Sequence, residues 1–200
     1  QRPLHGILLD DRDGVDASAK LDAWAREVGR RGFARVDAPY QVGWCSWYHY
    51  FHDVTEDALR ANLAHNESWP FDVFQLDDGF QSAIGDWLTT NDKFPSPLDR
   101  IAGDISAAGR IPGLWIAPFL VAPDSQVATS HPEWIARYRV HDEGTSGTVP
   151  AGPPTVDHGP LRAWWNPPWG GGDDGFMHAL DTTNPEVLAH LEGVARDLVD

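Results

Sequence analysis

Phe71-Asp72-Val73-Phe74-Gln75-Leu76-Asp77-Asp78-Gly79 is a compact apolar run that ends abruptly in two carboxylates and a glycine. Pro70 precedes it and a polar, turn-rich stretch follows, from Asp77 to Pro97. A run of this length, bounded by turn residues, reads as a strand buried on both faces. Such strands belong to parallel sheets, whose crossover helices cover both sides. Two more runs of the kind flank it: Gln41 to Tyr48, rich in aromatics, and Ile111 to Ile116. Helical patterns separate the three. Asp53 and Thr55 are cap candidates for a helix over 55–66 with Ala58, Leu59 and Leu63 on one face. Leu98, Ile101 and Ile105 mark a second helix, with Gly109 at its C′ position. Strand centres near 44, 74 and 114 are 30 and 40 residues apart, the scale of βαβ units. The class is therefore α/β, as a doubly wound sheet or as part of a (β/α)8 barrel. No glycine-rich turn follows the first strand, so the dinucleotide fingerprint is absent. A complete barrel takes about 250 residues. With three good strands, the barrel reading makes this chain a fragment of a longer enzyme.

Outside these units, residues 16–31 predict an amphipathic helix with Leu21, Trp24, Ala25 and Val28 on its apolar stripe. Asp16 or Ser18 would cap it and Gly32 would stop it. His131 to Tyr138 reads as a short extra helix. Residues 141–175 hold eight Gly and six Pro in 35 residues, which predicts an irregular excursion on the site side. Phe176 to Asp181 reads as a brief strand. Asn184-Pro185-Glu186 then opens a helix, with Pro at its first position and an acid in its first turn. Val187, Leu188, Leu191, Val194, Ala195 and Leu198 are its expected buried face.

The 200 residues carry a net charge of −15, which argues against nucleic acid and against an anionic membrane surface as partners. The single cysteine, Cys45, excludes an intrachain disulfide framework and a Cys-based zinc cluster. No apolar stretch is long enough to span a bilayer. No basic segment followed by an apolar one is visible, so a cytoplasmic location is expected, although the chain begins at Gln1 rather than Met. Ten tryptophans are an excess. Indole faces cover the C–H face of a sugar and carboxylates accept from its hydroxyls, which makes a neutral polyhydroxylated ligand a candidate. On composition alone, a core role for several of the ten stands ahead.

In either architecture ligands bind at the carboxyl ends of the strands. Trp47, the Asp77-Asp78 pair and Trp115 all follow or end strand-like runs, so they converge on one rim. In isolation Asp-Asp-Gly is a turn signal. Two neighbouring carboxylates nevertheless repel, and a sugar whose hydroxyls donate to both relieves this. A magnesium or calcium ion is the rival occupant. The acidic run Asp10 to Asp16 fails as an EF-hand: with Gly14 sixth, Leu9 is first and Lys20 twelfth. His49 and His52 have no third ligand in sight, Cys45 reads as a small core residue, and neither a nucleophile elbow nor a P-loop is present.

Gly43-Trp44-Cys45-Ser46-Trp47, Leu76-Asp77-Asp78-Gly79-Phe80, Gly85-Asp86-Trp87, Lys93-Phe94-Pro95, Gly113-Leu114-Trp115, His131-Pro132-Glu133-Trp134 and Leu180-Asp181-Thr182-Thr183-Asn184-Pro185-Glu186-Val187 occur in that order. The series resembles the catalytic barrel of the α-galactosidase (melibiase) family, glycoside hydrolase family 36, over roughly residues 40–200. The resemblance implies a partial (β/α)8 barrel covering about the first three units, with residues 1–40 as the linker and helix from a preceding β-sandwich domain. It implies retaining hydrolysis of terminal α-D-galactosyl residues by two aspartates, without a cofactor or a metal; a homo-oligomer of the full-length form stays open. By resemblance Asp77 and Asp78 accept from O4 and O6 of galactose, and Trp47 and Trp115 wall the same subsite. Asp181 fixes the loop before the last helix. Trp164, Trp165 and Trp169 are candidates for an outer subsite, with packing of the loop as the alternative. The nucleophile and the acid are expected beyond Asp200, which leaves this chain alone inactive. Cys45 stands where Asn is common, and Ala117 and Phe119 stand where glutamates are common. These departures keep open an α-N-acetylgalactosaminidase or a galactosyl-transfer enzyme, and a non-catalytic galactose-binding fragment is the competing class.

Overall fold

Val73–Leu76 forms the central strand (β2) of a three-stranded parallel sheet, between Gly43–Cys45 (β1) and Ile111–Leu114 (β3). Gly43 lies opposite Val73 and Cys45 opposite Gln75; on the other side Val73 meets Ile111 and Leu76 meets Leu114. The structure is a computed structural model that describes residues 14, 16–35, 39–140, 156–164 and 176–199. It divides into two units, residues 1–40 and 41–200.

The first unit holds α1 (Ala17–Arg31), with Asp16 accepting from Ser18 N at its start and Gly32 at its end. Its apolar stripe is present but unburied, with Leu21 65% and Trp24 48% exposed.

In the second unit each parallel step crosses through a helix. Between β1 and β2 stand a single turn (α2, Trp47–Tyr50), a 3-10 turn (Phe51–Asp53) and α3 (Glu56–His65). Thr55, not Asp53, caps α3, its Oγ accepting from Ala58 N at 3.1 Å. Between β2 and β3 the chain loops through residues 77–97 and enters α4 (Leu98–Ala107), whose Ile101 and Ile105 are buried. Gly109 follows α4 at φ 75°, a left-handed conformation that glycine adopts without penalty. The core fills one face of the sheet, where Phe74 and Leu76 join Leu59, Phe80, Trp87 and Phe94. Trp44 stacks on its register partner Phe74, centroids 4.1 Å apart. Burial alternates along β2, so Val73 and Gln75 are half-buried rather than enclosed as the apolar run predicts.

Glu56, at the start of α3, ties two crossovers together. Its buried carboxylate accepts from Ser96 N at 2.9 Å, Ser96 Oγ at 2.7 Å and the Arg60 guanidinium at 2.8 Å. Arg60 also pairs with Asp104 of α4. Burial alone would raise the Glu56 carboxyl, but the Ser96 and Arg60 bonds outweigh it and hold it below the ordinary range. A depressed carboxyl stabilises the fold above its unfolded pKa and loses that contribution as pH falls through the folded one. Glu56→Ala is therefore expected to cost about 3 kcal/mol at pH 7 and progressively less toward pH 3, read by urea unfolding at each pH.

Four further expectations need correction. The first strand stops at Cys45, because Tyr50 N donates to Ser46 O and the aromatic run turns helical. The segment His131 to Tyr138 is not a helix. After α5 (Gln126–Ser130), Pro132–Trp134 makes one 3-10 turn, and Arg137–Val140 (β5) pairs antiparallel with Val156–Pro160 (β6). The expected excursion thus holds two strands, β6 and Arg162–Trp164 (β7). Gly159 at φ 93° and a register shift between Arg137 and Arg139 accommodate its irregular composition, and Pro160 sits at a strand end. Leu120–Val121 (β4), Phe176–Ala179 (β8) and β7 form an antiparallel sheet in the order β4-β8-β7. The last helix, α6 (Pro185–Val199), opens with Asn184 Oδ1 accepting from Glu186 N, but only Val187 and Val194 are fully buried; Leu188 and Ala195, at the edge of the stripe, are exposed. Among the described residues no helix is long and apolar enough to cross a membrane.

Candidate functional site

Three hydrogen bonds lock the carboxyl ends of the parallel strands. Ser46 N donates to Gln75 O at 3.2 Å, Asp77 N donates to the buried Ser46 Oγ at 2.9 Å, and Trp115 N donates to Leu76 O at 2.9 Å. Trp47, Asp77, Asp78 and Trp115 consequently share one edge of the sheet, with Cys45 half-buried just inside it. Trp47 packs edge-on to Phe51 at 5.3 Å, and Trp115 edge-on to the buried Trp87 at 5.9 Å. Both indoles are half-buried, which leaves apolar surface at the rim.

The two aspartates differ sharply in environment. Asp77 Oδ2 accepts from Gln75 Nε2 at 2.8 Å and from Cys45 Sγ at 3.3 Å, while its Oδ1 accepts from Asp78 N at 2.9 Å. Asp78 Oδ1 accepts from Gln81 Nε2 at 2.6 Å, but its Oδ2 is buried without a partner among the described residues, and the residue is only 2% exposed. Burial pushes the Asp78 carboxyl up, the Gln81 amide opposes this, and the neighbouring Asp77 charge adds to it. Such an oxygen is open to a donor from a bound molecule or an ordered water. Burial pushes the Cys45 thiol up as well, so it stays protonated.

The turn carrying Asp78 is rigid. Gly79 has φ 116°, and its N–H donates to Gln81 Oε1 at 3.1 Å. Asn91 Nδ2 donates to the carbonyls of Gly79 and Gln81 at 2.8 and 3.0 Å. On the other side the turn presses on His52, which follows Phe51 at φ 50° and whose carbonyl accepts from the Lys93 ammonium. Burial pushes the Lys93 amine down, and the nearby Asp53 and Asp78 charges oppose it. Sequence reading missed Gln81 and Asn91; polar side chains in a buried turn that has to be satisfied internally were the available signal.

His52 has a buried Nδ1 with no partner among the described residues and its Nε2 lies 3.3 Å from Asp53, while His49 stacks edge-on to Tyr50. Among the described residues no three metal-ligating side chains cluster, so Asp77 and Asp78 have no third protein ligand there. Asp181 Oδ1 accepts from Thr183 N at 2.9 Å and Thr183 Oγ at 2.6 Å, in the loop before α6. Trp164 is described only as backbone in β7, and Trp165 and Trp169 lie outside the described residues.

Several known proteins are similar to this chain. The α-galactosidase AgaA of Geobacillus stearothermophilus is 29% identical over 138 residues, 64% of this chain and 18% of that protein. An α-galactosidase of Escherichia coli is 33% identical over 97 residues, 45% of this chain and 14% of that protein. Among solved structures, the Thermus thermophilus α-galactosidase TtGalA in complex with stachyose superposes with a TM-score of 0.63 at 33% identity, over 82% of this chain and 30% of that one. The G. stearothermophilus AgaA structure superposes at 0.59 with 19% identity, a likeness of fold. The chain thus spans less than a third of each of these proteins. The model of the Melibiase family matches residues 16–148, about two thirds of the chain, and on that match the chain belongs to the melibiase family.

Proposed function

We propose that this chain is part of a retaining α-galactosidase, and that it contributes the first three units of a (β/α)8 catalytic barrel together with the galactose-recognising edge of its pocket. The observation that carries this reading is the Asp77-Asp78 pair at the carboxyl ends of parallel strands, with one carboxylate braced and the other holding a buried, unpartnered oxygen. Ionised carboxylates accept only, so their ligand has to donate. A pair of hydroxyls on one sugar meets that need, and galactose presents O4 and O6 close together, with only C5 between the carbons that carry them. Trp47 and Trp115 supply apolar surface for the C–H face. The similar TtGalA has been solved with stachyose and with p-nitrophenyl α-D-galactopyranoside, which supports an α-galactoside as substrate.

Retaining cleavage needs two carboxyl groups about 5–5.5 Å apart across the scissile bond, one attacking the anomeric carbon and one protonating the leaving oxygen. Asp77 and Asp78 are successive residues on one strand end and cannot flank a ring on two faces. Their role is recognition, with the nucleophile and acid supplied by sequence beyond Asp200. No cofactor enters this chemistry.

The full-length protein containing this chain is expected to hydrolyse p-nitrophenyl α-galactoside with a kcat/KM at least about 10²-fold above that for the α-glucoside, because the epimer leaves a buried carboxylate unpaired. Residues 1–200 alone are expected to be inert toward the same substrate. Equal rates on both sugars, or enzyme-like turnover of about 1–10³ per second by the isolated chain, would contradict the assignment.

A further inference from the structure

Two donors converge on one oxygen of Asp77. Cys45 is the last residue of β1 and the register partner of Gln75. Its Sγ lies 3.3 Å from Asp77 Oδ2, the oxygen that also accepts from Gln75 Nε2 at 2.8 Å, and the amide nitrogen is 3.7 Å from the sulfur. The thiol, Gln75 and the Asp77 carboxylate therefore form a closed triangle on one face of the sheet. With its Oδ1 held by Asp78 N, the Asp77 carboxylate is fixed in plane and direction. The next residue independently marks the place as a ligand site: Asp78, 2% exposed, keeps an oxygen that nothing in the described protein satisfies.

We propose that Cys45 is a positioning residue, whose S–H bond acts with Gln75 to aim the Asp77 carboxylate so that one sugar meets Asp77 and Asp78 at once. This rests on the galactoside reading above. The residue touches Asp77 and acts through it. Without the thiol donor the carboxylate has one fewer restraint, and galactose has to order it on binding, at a cost to affinity rather than to folding.

The test is made in the full-length protein. Cys45→Ala is expected to weaken galactose binding by about fivefold in titration calorimetry, the worth of one modest hydrogen bond. Cys45→Ser keeps a donor and is expected to restore affinity to within about twofold of wild type, and the melting temperatures of both should stay close to it. In infrared difference spectra against Cys45→Ser, the S–H stretching band of Cys45 should sit at the lowered frequency of a hydrogen-bonded thiol. It should move up in Asp77→Ala and by less in Asp77→Asn. Unchanged affinity in Cys45→Ala, or equal losses in the alanine and serine variants, overturns the proposal. If wild type does not bind galactose at all, the galactoside reading fails on its own, and the infrared arm still decides the thiol's role: a band unmoved by Asp77→Ala refutes it.

Discussion

Asp78→Asn is expected to weaken galactose binding by about 10²-fold while leaving the fold as stable as wild type or slightly more so, since a hydrogen bond to a charged acceptor contributes about 1.5–3 kcal/mol. The two effects have opposite signs for one physical reason. Burial, together with the charge of Asp77, holds the Asp78 carboxyl above its ordinary range, so ionising it in the folded protein costs free energy. For a carboxyl raised by folding, the folded state is favoured at low pH, and stability falls as pH rises through the unfolded and then the folded pKa. Asparagine keeps an oxygen for the Gln81 amide bond and carries no charge. The stability of Asp78→Asn relative to wild type should therefore be greatest near neutrality and shrink toward pH 4, where the native carboxyl is increasingly neutral. Galactose loses an ionised acceptor at every pH where wild type has one. Calorimetric melting at several pH values, paired with galactose titration, reads both. A variant that loses stability as severely as it loses affinity would return Asp78 to a role in the turn alone.

Gly79→Ala is expected to cost about 4 kcal/mol, among the largest losses of any single substitution in the chain. At φ 116° an L side chain is strained whatever the space around it. A Cβ there would also lie 2.5 Å from the His52 carbonyl oxygen and 2.8 Å from its Cα, and both are backbone atoms with no freedom to withdraw. The displacement would pass directly to Asp78 and to the His52 segment. Gly103 is the internal control: it lies in α4, exposed, with nothing within 4 Å of an added Cβ. Gly103→Ala is expected to stabilise by roughly 0.5–1 kcal/mol through helix propensity. Urea unfolding of both variants should give effects of opposite sign.

What the sequence makes legible is what short-range chemistry decides. The cap at Thr55, the stop near Gly109 and the start of α6 at Asn184-Pro185 depend on a few neighbouring residues, and all three lie where those residues put them. The three parallel strands could be read because apolar runs recur at crossover spacing. The strands at 156–164 could not, because partners 12 or more residues away in sequence supply their hydrogen bonds and override a Gly- and Pro-rich composition. The edge that gathers Trp47, Asp77 and Trp115 follows from strand ends alone. The details that set its chemistry do not: the Cys45 bond to Asp77 spans 32 residues, and the Gln81 and Asn91 braces depend on a turn whose path only the folded chain defines. Cys45, read as a core residue, proves to be a donor to a candidate ligand-binding carboxylate.

The most direct measurement is a crystal structure of the full-length protein with galactose bound. The expected result places one pyranose against the carboxyl ends of β1 to β3, with its O4 and O6 hydroxyls about 2.6–3.2 Å from the carboxylates of Asp77 and Asp78. The Asp78 Oδ2 that lacks a partner would then be satisfied, and an indole of Trp47 or Trp115 would lie against the C–H face. Galactose held elsewhere, or a metal ion bridging Asp77 and Asp78 in its place, would contradict the assignment of this edge as the galactose-recognising part of the pocket.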